Sequence, residues 1–258
     1  MPRFAANLST LFTDAPLIER FGRAARAGFA AVEVQFPYEL PAATIREQLD
    51  AHGLVMVLHN LPAGDFAAGD RGIACDPARV AEFRAGVPKA IAYARTLGVP
   101  RLNCLAGKVP AGVDEATLRR TFVDNVRFAA AALADAGLVL LVEPINRFDV
   151  PGFYVHRTLQ AIELLDEAGA ASAFVQYDLY HAQRSEGELA GTLERCLPRI
   201  GHVQIADNPG RHEPGSGEIH WPFLFEHLDR IGYAGWVGCE YFPAAGTEAG
   251  LGWLDPWR

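Results

Sequence analysis

Asp135-Ala136-Gly137-Leu138-Val139-Leu140-Leu141-Val142-Glu143 is the stretch that decides the fold. Its glycine ends the amphipathic segment Glu115–Ala136, as expected of a residue that accepts the left-handed conformation just past a helix. The run Leu138–Val142 is too short for a helix and too uniformly apolar for a half-exposed sheet, so it reads as a buried parallel strand. The run stops at a carboxylate. The same unit recurs along the chain: Gly28 precedes Ala-Val-Glu33-Val-Gln-Phe, Gly53 precedes Leu-Val-Met-Val-Leu-His59, and Gly98 precedes Arg-Leu-Asn-Cys-Leu. Gly169 precedes Phe-Val-Gln-Tyr-Asp178, Gly201 precedes His-Val-Gln204-Ile-Ala-Asp, and Gly232 precedes Trp-Val-Gly-Cys-Glu240.

With the opening run Phe4–Leu8 these make eight strands. Amphipathic stretches fill the gaps: Pro16–Ala27, Ala42–His52, Pro77–Leu97, Glu115–Ala136, Thr158–Ala168, Glu188–Ile200 and Pro222–Ile231. Strict alternation of strand and helix implies parallel strands with right-handed crossovers. Eight such units in 258 residues favour a single α/β domain over residues 1–258, a closed (β/α)8 TIM barrel, over an open doubly wound sheet. Residues 60–76 form a long polar loop after the third strand, a candidate lid. The tail from Phe242 carries Pro243, Gly246, Gly250, Gly252 and Pro256, so the eighth helix is expected to be short or replaced by an irregular segment.

Composition excludes several classes. Net charge is −8, from 31 acids and 23 bases, which argues against a nucleic-acid or anionic-membrane footprint. No apolar run approaches the roughly 18 residues of a membrane span, and the opening Met-Pro-Arg-Phe-Ala-Ala-Asn lacks the apolar core of a signal peptide. Cys75, Cys104, Cys196 and Cys239 show no CxxC spacing and read as reduced thiols of a cytoplasmic protein. The only lysines are Lys89, inside a helix, and Lys108, in a loop. Neither suits a Schiff base, which needs a desolvated amine.

Active sites of barrels lie at the C-terminal ends of the strands. Here Glu143, Asp178 and Glu240 end strands five, six and eight, and Gln204 lies in strand seven. Three carboxylates and an amide converging on the barrel axis repel one another unless a cation lies among them. An all-oxygen set favours Mg²⁺ or Mn²⁺ over zinc. The alternative for any one of these acids is a rim ion pair with an arginine. Glu33, inside strand two, is expected to form such a buried pair. His59, Lys108, His181, Arg211 and His212 stand at strand ends or in the adjoining loops, where they could grip a substrate oxygen or carboxylate, Arg211 through a bidentate fork. Gly215-Ser-Gly217 is either a flexible loop or a phosphate cradle. Cys239 has the parity of a residue facing the helix layer, so it is expected to pack.

Val-Glu143-Pro-Ile-Asn, Gln-Tyr-Asp178-Leu-Tyr-His181, His-Val-Gln204-Ile-Ala-Asp and Gly-Cys-Glu240-Tyr resemble the hydroxypyruvate isomerase family of xylose-isomerase-like TIM barrels. The likeness extends to Leu-His59-Asn-Leu-Pro-Ala-Gly-Asp, Asn-Cys-Leu-Ala-Gly-Lys108, Arg211-His-Glu-Pro-Gly-Ser-Gly-Glu-Ile and the tail Gly-Leu-Gly-Trp-Leu-Asp-Pro-Trp. A sister group, the 2-oxo-tetronate isomerases, shares the opening and a similar tail. The resemblance implies interconversion of hydroxypyruvate and tartronate semialdehyde through an enediolate. It also implies Glu143, Asp178, Gln204 and Glu240 as ligands of a divalent metal, with Glu143 and Glu240 as the acid/base pair. The carboxylate of such a substrate calls for a cation, for which Lys108 and Arg211 are the candidates.

A 2-oxo-tetronate isomerase or ketose epimerase differs only in pocket size, which the loops set. An abasic-site endonuclease of the same superfamily uses several histidines for zinc and must track DNA, which Gln204 and the net charge of −8 disfavour. A non-catalytic sugar-binding barrel has no need of both Glu143 and Glu240. The partner is thus expected to be a small hydroxy- or keto-acid, and the aromatic tail with Trp253 and Trp257 suggests a docked or intersubunit role.

Overall fold

Eight short strands follow one another around a closed parallel barrel, each hydrogen-bonded to its sequence neighbours and the eighth to the first. They are β1 (Arg3–Asn7), β2 (Ala31–Glu33), β3 (Val55–Asn60), β4 (Arg101–Cys104), β5 (Val139–Val142), β6 (Ala173–Asp178), β7 (Ile200–Ile205) and β8 (Trp236–Cys239). The structure, a computed structural model, describes residues 1–257. The crossover helices are α1 (Leu17–Arg26), α2 (Ala42–His52), α3 (Val80–Leu97), α4 (Glu115–Asp135) and α5 (Thr158–Glu167), then α6 (Leu179–Ser185), α7 (Leu189–Cys196) and α8 (Trp221–Arg230). Among the described residues no helix is long and apolar enough to cross a membrane.

The expected barrel is the observed one. Glycines 28, 53, 98, 137, 169 and 232 do adopt positive φ at the helix ends. Gly201 departs from the expectation. It lies inside β7, and the preceding helix instead ends in a 3₁₀ turn, Leu197–Arg199, that contains Pro198. A side chain at 201 would meet Leu141 Cδ2 at 2.6 Å, so this position is glycine because the strand packs closely there. The sequence pattern also did not reveal α6. Asp178 ends β6 and caps α6 at once, accepting from Tyr180 N at 2.8 Å, which leaves His181 one turn into the new helix.

After β8 the chain runs irregularly and closes in a 3₁₀ segment, Leu251–Trp257, with no α-helix among the described residues that follow that strand. Its aromatic groups dock within the chain. Trp253 packs edge-on to Phe4 with ring centroids 5.1 Å apart and donates to Tyr241 Oη at 3.2 Å, and Trp257 meets Phe225 at 5.1 Å.

Strand parity divides the barrel. One set of inward residues, Ala5, Ala31, Val57, Leu58 and Leu141 with Phe174 and Trp236, forms a small apolar cluster separate from the helix-layer core. Toward the C-terminal ends the inward residues become polar and remain buried: Asn7, Glu33, Asn60, Asn103, Glu143, Gln176, Asp178, Gln204 and Glu240. Cys239 belongs to the helix-layer core, as expected. Burying so many polar groups is tolerated only where each finds a partner, and the partners define the site.

Candidate active site

Glu143 and Glu240 each follow the last residue of their strands, and Asp178 is the last residue of β6, so all three carboxyls reach the top of the barrel. Each is almost fully buried, at 4%, 6% and 2% exposure. Burial pushes the Glu143 carboxyl well above the ordinary carboxylate range, and the neighbouring charges of Glu240 and Asp178 push it further. Burial also raises Asp178 and takes Glu240 up to about 7, although Arg211 pulls both back.

Arg211 is the counter-charge. Its Nη2 donates to Glu240 Oε1 at 2.7 Å and lies 3.5 Å from Asp178 Oδ2. Burial works against the guanidinium charge, but Glu240, Asp178 and Glu143 more than offset it. The Arg211 backbone sits at φ 57, and its guanidinium stacks over Tyr180 at 5.1 Å.

Amides orient the acids. Asn103 Nδ2 donates to Glu143 Oε2 at 2.8 Å. Asn7 Nδ2 and Gln204 Nε2 donate to Glu240 Oε2 at 2.8 and 2.9 Å. Glu240 therefore receives N–H donors from Asn7, Gln204 and Arg211, with the Gln35 side chain also beside it, and Glu143 one from Asn103.

His181 is buried beside the carboxylates, its Nε2 3.7 Å from Asp178 Oδ2 and 3.9 Å from Glu143 Oε1. Burial, with Arg211 and Arg184 nearby, drives it far below the ordinary imidazole value, so the ring is neutral. Asn146 Nδ2 donates to its Nδ1 at 2.6 Å, which leaves the proton on Nε2, facing the acids. A cavity of about 110 Å³ opens over this group and is lined by Glu143, Glu240, His181, Arg211, Asn60 and Arg71, among others.

Several expectations are corrected. Glu33 does not pair with an arginine. Its Oε1 faces His202 Nε2, and Arg101 lies behind that ring, 3.5 Å from Nδ1, because β2 and β7 both point these residues into the barrel. Glu33 Oε2 also accepts from Gln204 Nε2 at 2.8 Å and Asn7 Nδ2 at 3.3 Å. His59 is not brought to the cavity. Parity directs Asn60 inward and turns His59 toward the helix layer, where Nδ1 lies 3.2 Å from Tyr38 Oη and 3.1 Å from Asn60 O. Lys108 is exposed and donates to Gly69 O at 2.9 Å, tying down the 60–76 loop. His212 fastens the β7 loop to the β8 loop through Phe242 O, at 2.7 Å. Ser216 donates to Glu213 O through both its hydroxyl and its N–H, and the Gly215 N–H bonds Asp207, so these donors are engaged within the loop.

Asn7, Asn103, Asn146 and Arg71 went unread in the sequence. Asn7 and Asn103 share the inward parity of the strand-end acids and could have been found from it. Asn146 and Arg71 lie in loops, where no such pattern exists.

The residues fit a divalent cation. Glu143, Asp178 and His181 are the group of potential ligands whose atoms lie within 4.8 Å of one another among the described residues. Glu143 and Asp178 are hard-oxygen donors at that spacing, and Glu240, paired with Arg211, lies outside the group. Gln204 presents nitrogen to Glu240, while its Oε1 accepts from Gln176 Nε2 at 2.6 Å. Turning both amides by half a revolution keeps their mutual hydrogen bond and directs the Gln204 oxygen at the acids. His181 fits less well as a ligand, since its Nε2 carries a proton, and serves better as a donor.

A closed eight-stranded barrel with a buried acid cluster at the strand C-termini is the arrangement of the xylose isomerase-like TIM barrels. That family matches residues 21–257, and the chain belongs to it. The chain is 51% identical over 258 residues to hydroxypyruvate isomerase of Escherichia coli (strain K12), covering all of both chains. It is 49% identical over 257 residues to 2-oxo-tetronate isomerase of Cupriavidus necator, covering 100% of this chain and 99% of that one. A crystal structure from Brucella melitensis, described as an AP endonuclease, family 2, superposes with a TM-score of 0.97 at 46% identity, covering both chains in full. The protein is an enzyme, an isomerase of the aldose–ketose type.

Proposed function

We propose that this isomerase interconverts hydroxypyruvate and 2-hydroxy-3-oxopropanoate (tartronate semialdehyde), with Glu143 and Glu240 as the acid/base pair. The observation that carries the reading is the placement of these two buried carboxyls just past β5 and β8 at a cavity of about 110 Å³, large enough only for a small molecule. The reaction removes a proton from C3 of hydroxypyruvate and delivers one to C2, while the hydroxyl proton of O3 is lost and the carbonyl oxygen at C2 gains one. A base and an acid on different sides of the substrate meet that requirement. Asn103 holds the Glu143 carboxyl and Asn7 that of Glu240, so neither must be ordered when substrate enters. His181 Nε2–H and the Arg211 guanidinium are donors suited to the oxygens on which negative charge develops.

Glu143, Asp178, Glu240 and, with its amide turned, Gln204 would hold Mg²⁺ or Mn²⁺. When bound, such an ion stabilises negative charge on the two adjacent substrate oxygens. Relatives named for hydroxypyruvate and for 2-oxo-tetronates are almost equally similar to this chain, so the substrate is decided by assay. Hydroxypyruvate, the 2-oxo-tetronates and free ketoses, each supplied with Mg²⁺ or Mn²⁺, are compared by conversion and by deuterium uptake from solvent. Hydroxypyruvate is expected to convert fastest. Faster conversion of a 2-oxo-tetronate reassigns the substrate, and nicking of abasic-site DNA without any isomerisation overturns the reading.

A further inference from the structure

The cavity has a second arginine that the acid cluster does not use. Arg71 lines it from the 60–76 loop. Its guanidinium stacks over Phe66 at 3.8 Å, and its Nη1 donates to Phe66 O at 3.1 Å and Asp70 O at 2.6 Å. Among the described residues it has no carboxylate partner, because the adjacent Asp70 is held by Arg79 at 2.6 Å. Arg211, by contrast, commits its Nη2 to Glu240 and Asp178, and a buried Nε is the donor it keeps without a partner among the described residues. A cation engaged only by carbonyls and an aromatic face keeps donors for an incoming anion.

The backbone beside Arg71 is fixed. Gly72 bridges to Ala106 beyond the end of β4, at φ +101, and a Cβ there would meet Leu105 O at 2.3 Å. Gly107 crosses the same point, where a Cβ would meet Gly72 O at 2.5 Å. Two glycines thus let two chain segments touch, and Arg71 is the residue next to that crossing. Gly72 N also bonds Ala63 O at 3.1 Å and Cys75 N bonds Ala106 O at 2.8 Å, so the loop is pinned at the arginine's neighbour and again three residues on. The group is placed before any ligand arrives, which lowers the ordering entropy of binding.

We propose that Arg71 receives the carboxylate of the substrate and selects small 2-oxo and 2-hydroxy acids over neutral sugars of similar size. This rests on the isomerase reading above, and it moves the role of carboxylate partner away from Lys108 and Arg211. The carboxylate end lies at the loop, and the reacting carbons lie toward Glu143 and Glu240.

The test compares the wild-type protein with Arg71→Met, Arg71→Lys and Lys108→Met. Turnover of hydroxypyruvate is measured with Mn²⁺, and binding of glycerate, an unreactive acid of the same length, is measured by calorimetry. Arg71→Met is expected to raise KM and the glycerate Kd by about 30-fold, the scale of a charge-assisted pair, with a smaller change in kcat. Arg71→Lys recovers part of the loss, as does guanidinium added to Arg71→Met. Deuterium uptake into dihydroxyacetone, which lacks the carboxylate, is not reduced by Arg71→Met. Unchanged KM and glycerate binding in Arg71→Met, or losses confined to Lys108→Met, overturn the proposal. If the wild-type protein turns over no acid while glycerate binding still depends on Arg71, the isomerase reading fails and the assignment of Arg71 stands.

Discussion

Arg211 Nη2 stands 2.7 Å from Glu240 Oε1, inside the barrel mouth, so the chain supplies its own cation to a cluster of buried acids. Removing one partner of such a pair leaves the other uncompensated, which costs about 3–5 kcal/mol where burial is complete. Arg211→Met is therefore expected to lower the unfolding temperature markedly in the absence of divalent cations. It should also take the Glu240 carboxyl above its present value of about 7. Thermal unfolding and the pH dependence of kcat/KM check this, and the acidic limb of the profile should move to higher pH.

A divalent cation should restore what Arg211 provides. Adding Mg²⁺ or Mn²⁺ at about 100 times its Kd is expected to stabilise the wild-type fold by about 2.7 kcal/mol, a rise of several degrees in Tm. Asp178→Asn should abolish most of that rise, and an unchanged response in this variant would remove Asp178 from the metal site. Differential scanning calorimetry with and without a chelator makes the comparison.

Two buried groups should tilt stability against pH in opposite directions. Glu240 has its pKa raised to about 7. Between 4.5 and 7 the folded protein therefore holds a proton that the unfolded chain has released, and stability falls as pH rises through that window. His59, pushed down to about 4 by burial, behaves in the reverse way. The unfolded chain binds its proton first, so stability is lost as pH falls from 6.5 toward 4. Each slope is at most about 1.4 kcal/mol per pH unit. Urea unfolding across pH 4–7.5 should show Glu240→Gln gaining, relative to wild type, as pH rises. His59→Leu should gain as pH falls.

Gly238 makes room for Glu33. A Cβ at this position in β8 would lie 2.3 Å from Glu33 Oε1 and 2.6 Å from its Cδ, so the missing side chain is the space that Glu33 fills. Gly238→Ala should destabilise the fold by about 1–3 kcal/mol through overpacking. It should also lower kcat, because Glu33 shares the Gln204 and Asn7 amides with Glu240. Full activity in a variant that is destabilised only would assign Glu33 a purely structural role.

The barrel was legible because glycine-ended helices and short apolar runs are local patterns. Glu143, Asp178, Gln204 and Glu240 were legible because those runs stop at or carry residues that a core does not hold unpaired. Position misled at β3, where His59 looked terminal but the strand runs on to Asn60, the residue at the cavity. Gly201 looked like its fellow glycines, yet its reason for being glycine is contact with Leu141 and Phe174, which are far away in sequence. The Glu33–His202 pair joins residues 169 positions apart across the barrel, and Arg71 reaches the cavity from a loop with no period. Contacts of these kinds arise only on folding.

Glu143 and Glu240 are expected to move a proton between adjacent carbons of a small keto-acid. Proton NMR of hydroxypyruvate incubated in deuterium oxide with Mg²⁺ reads it directly. The account predicts deuterium at C3 of hydroxypyruvate and at C2 of the semialdehyde with the wild-type protein. Glu143→Gln and Glu240→Gln should slow both at least ~10³-fold, as expected on loss of an acid or base, while remaining folded by circular dichroism. Incorporation at the wild-type rate in either variant would contradict it.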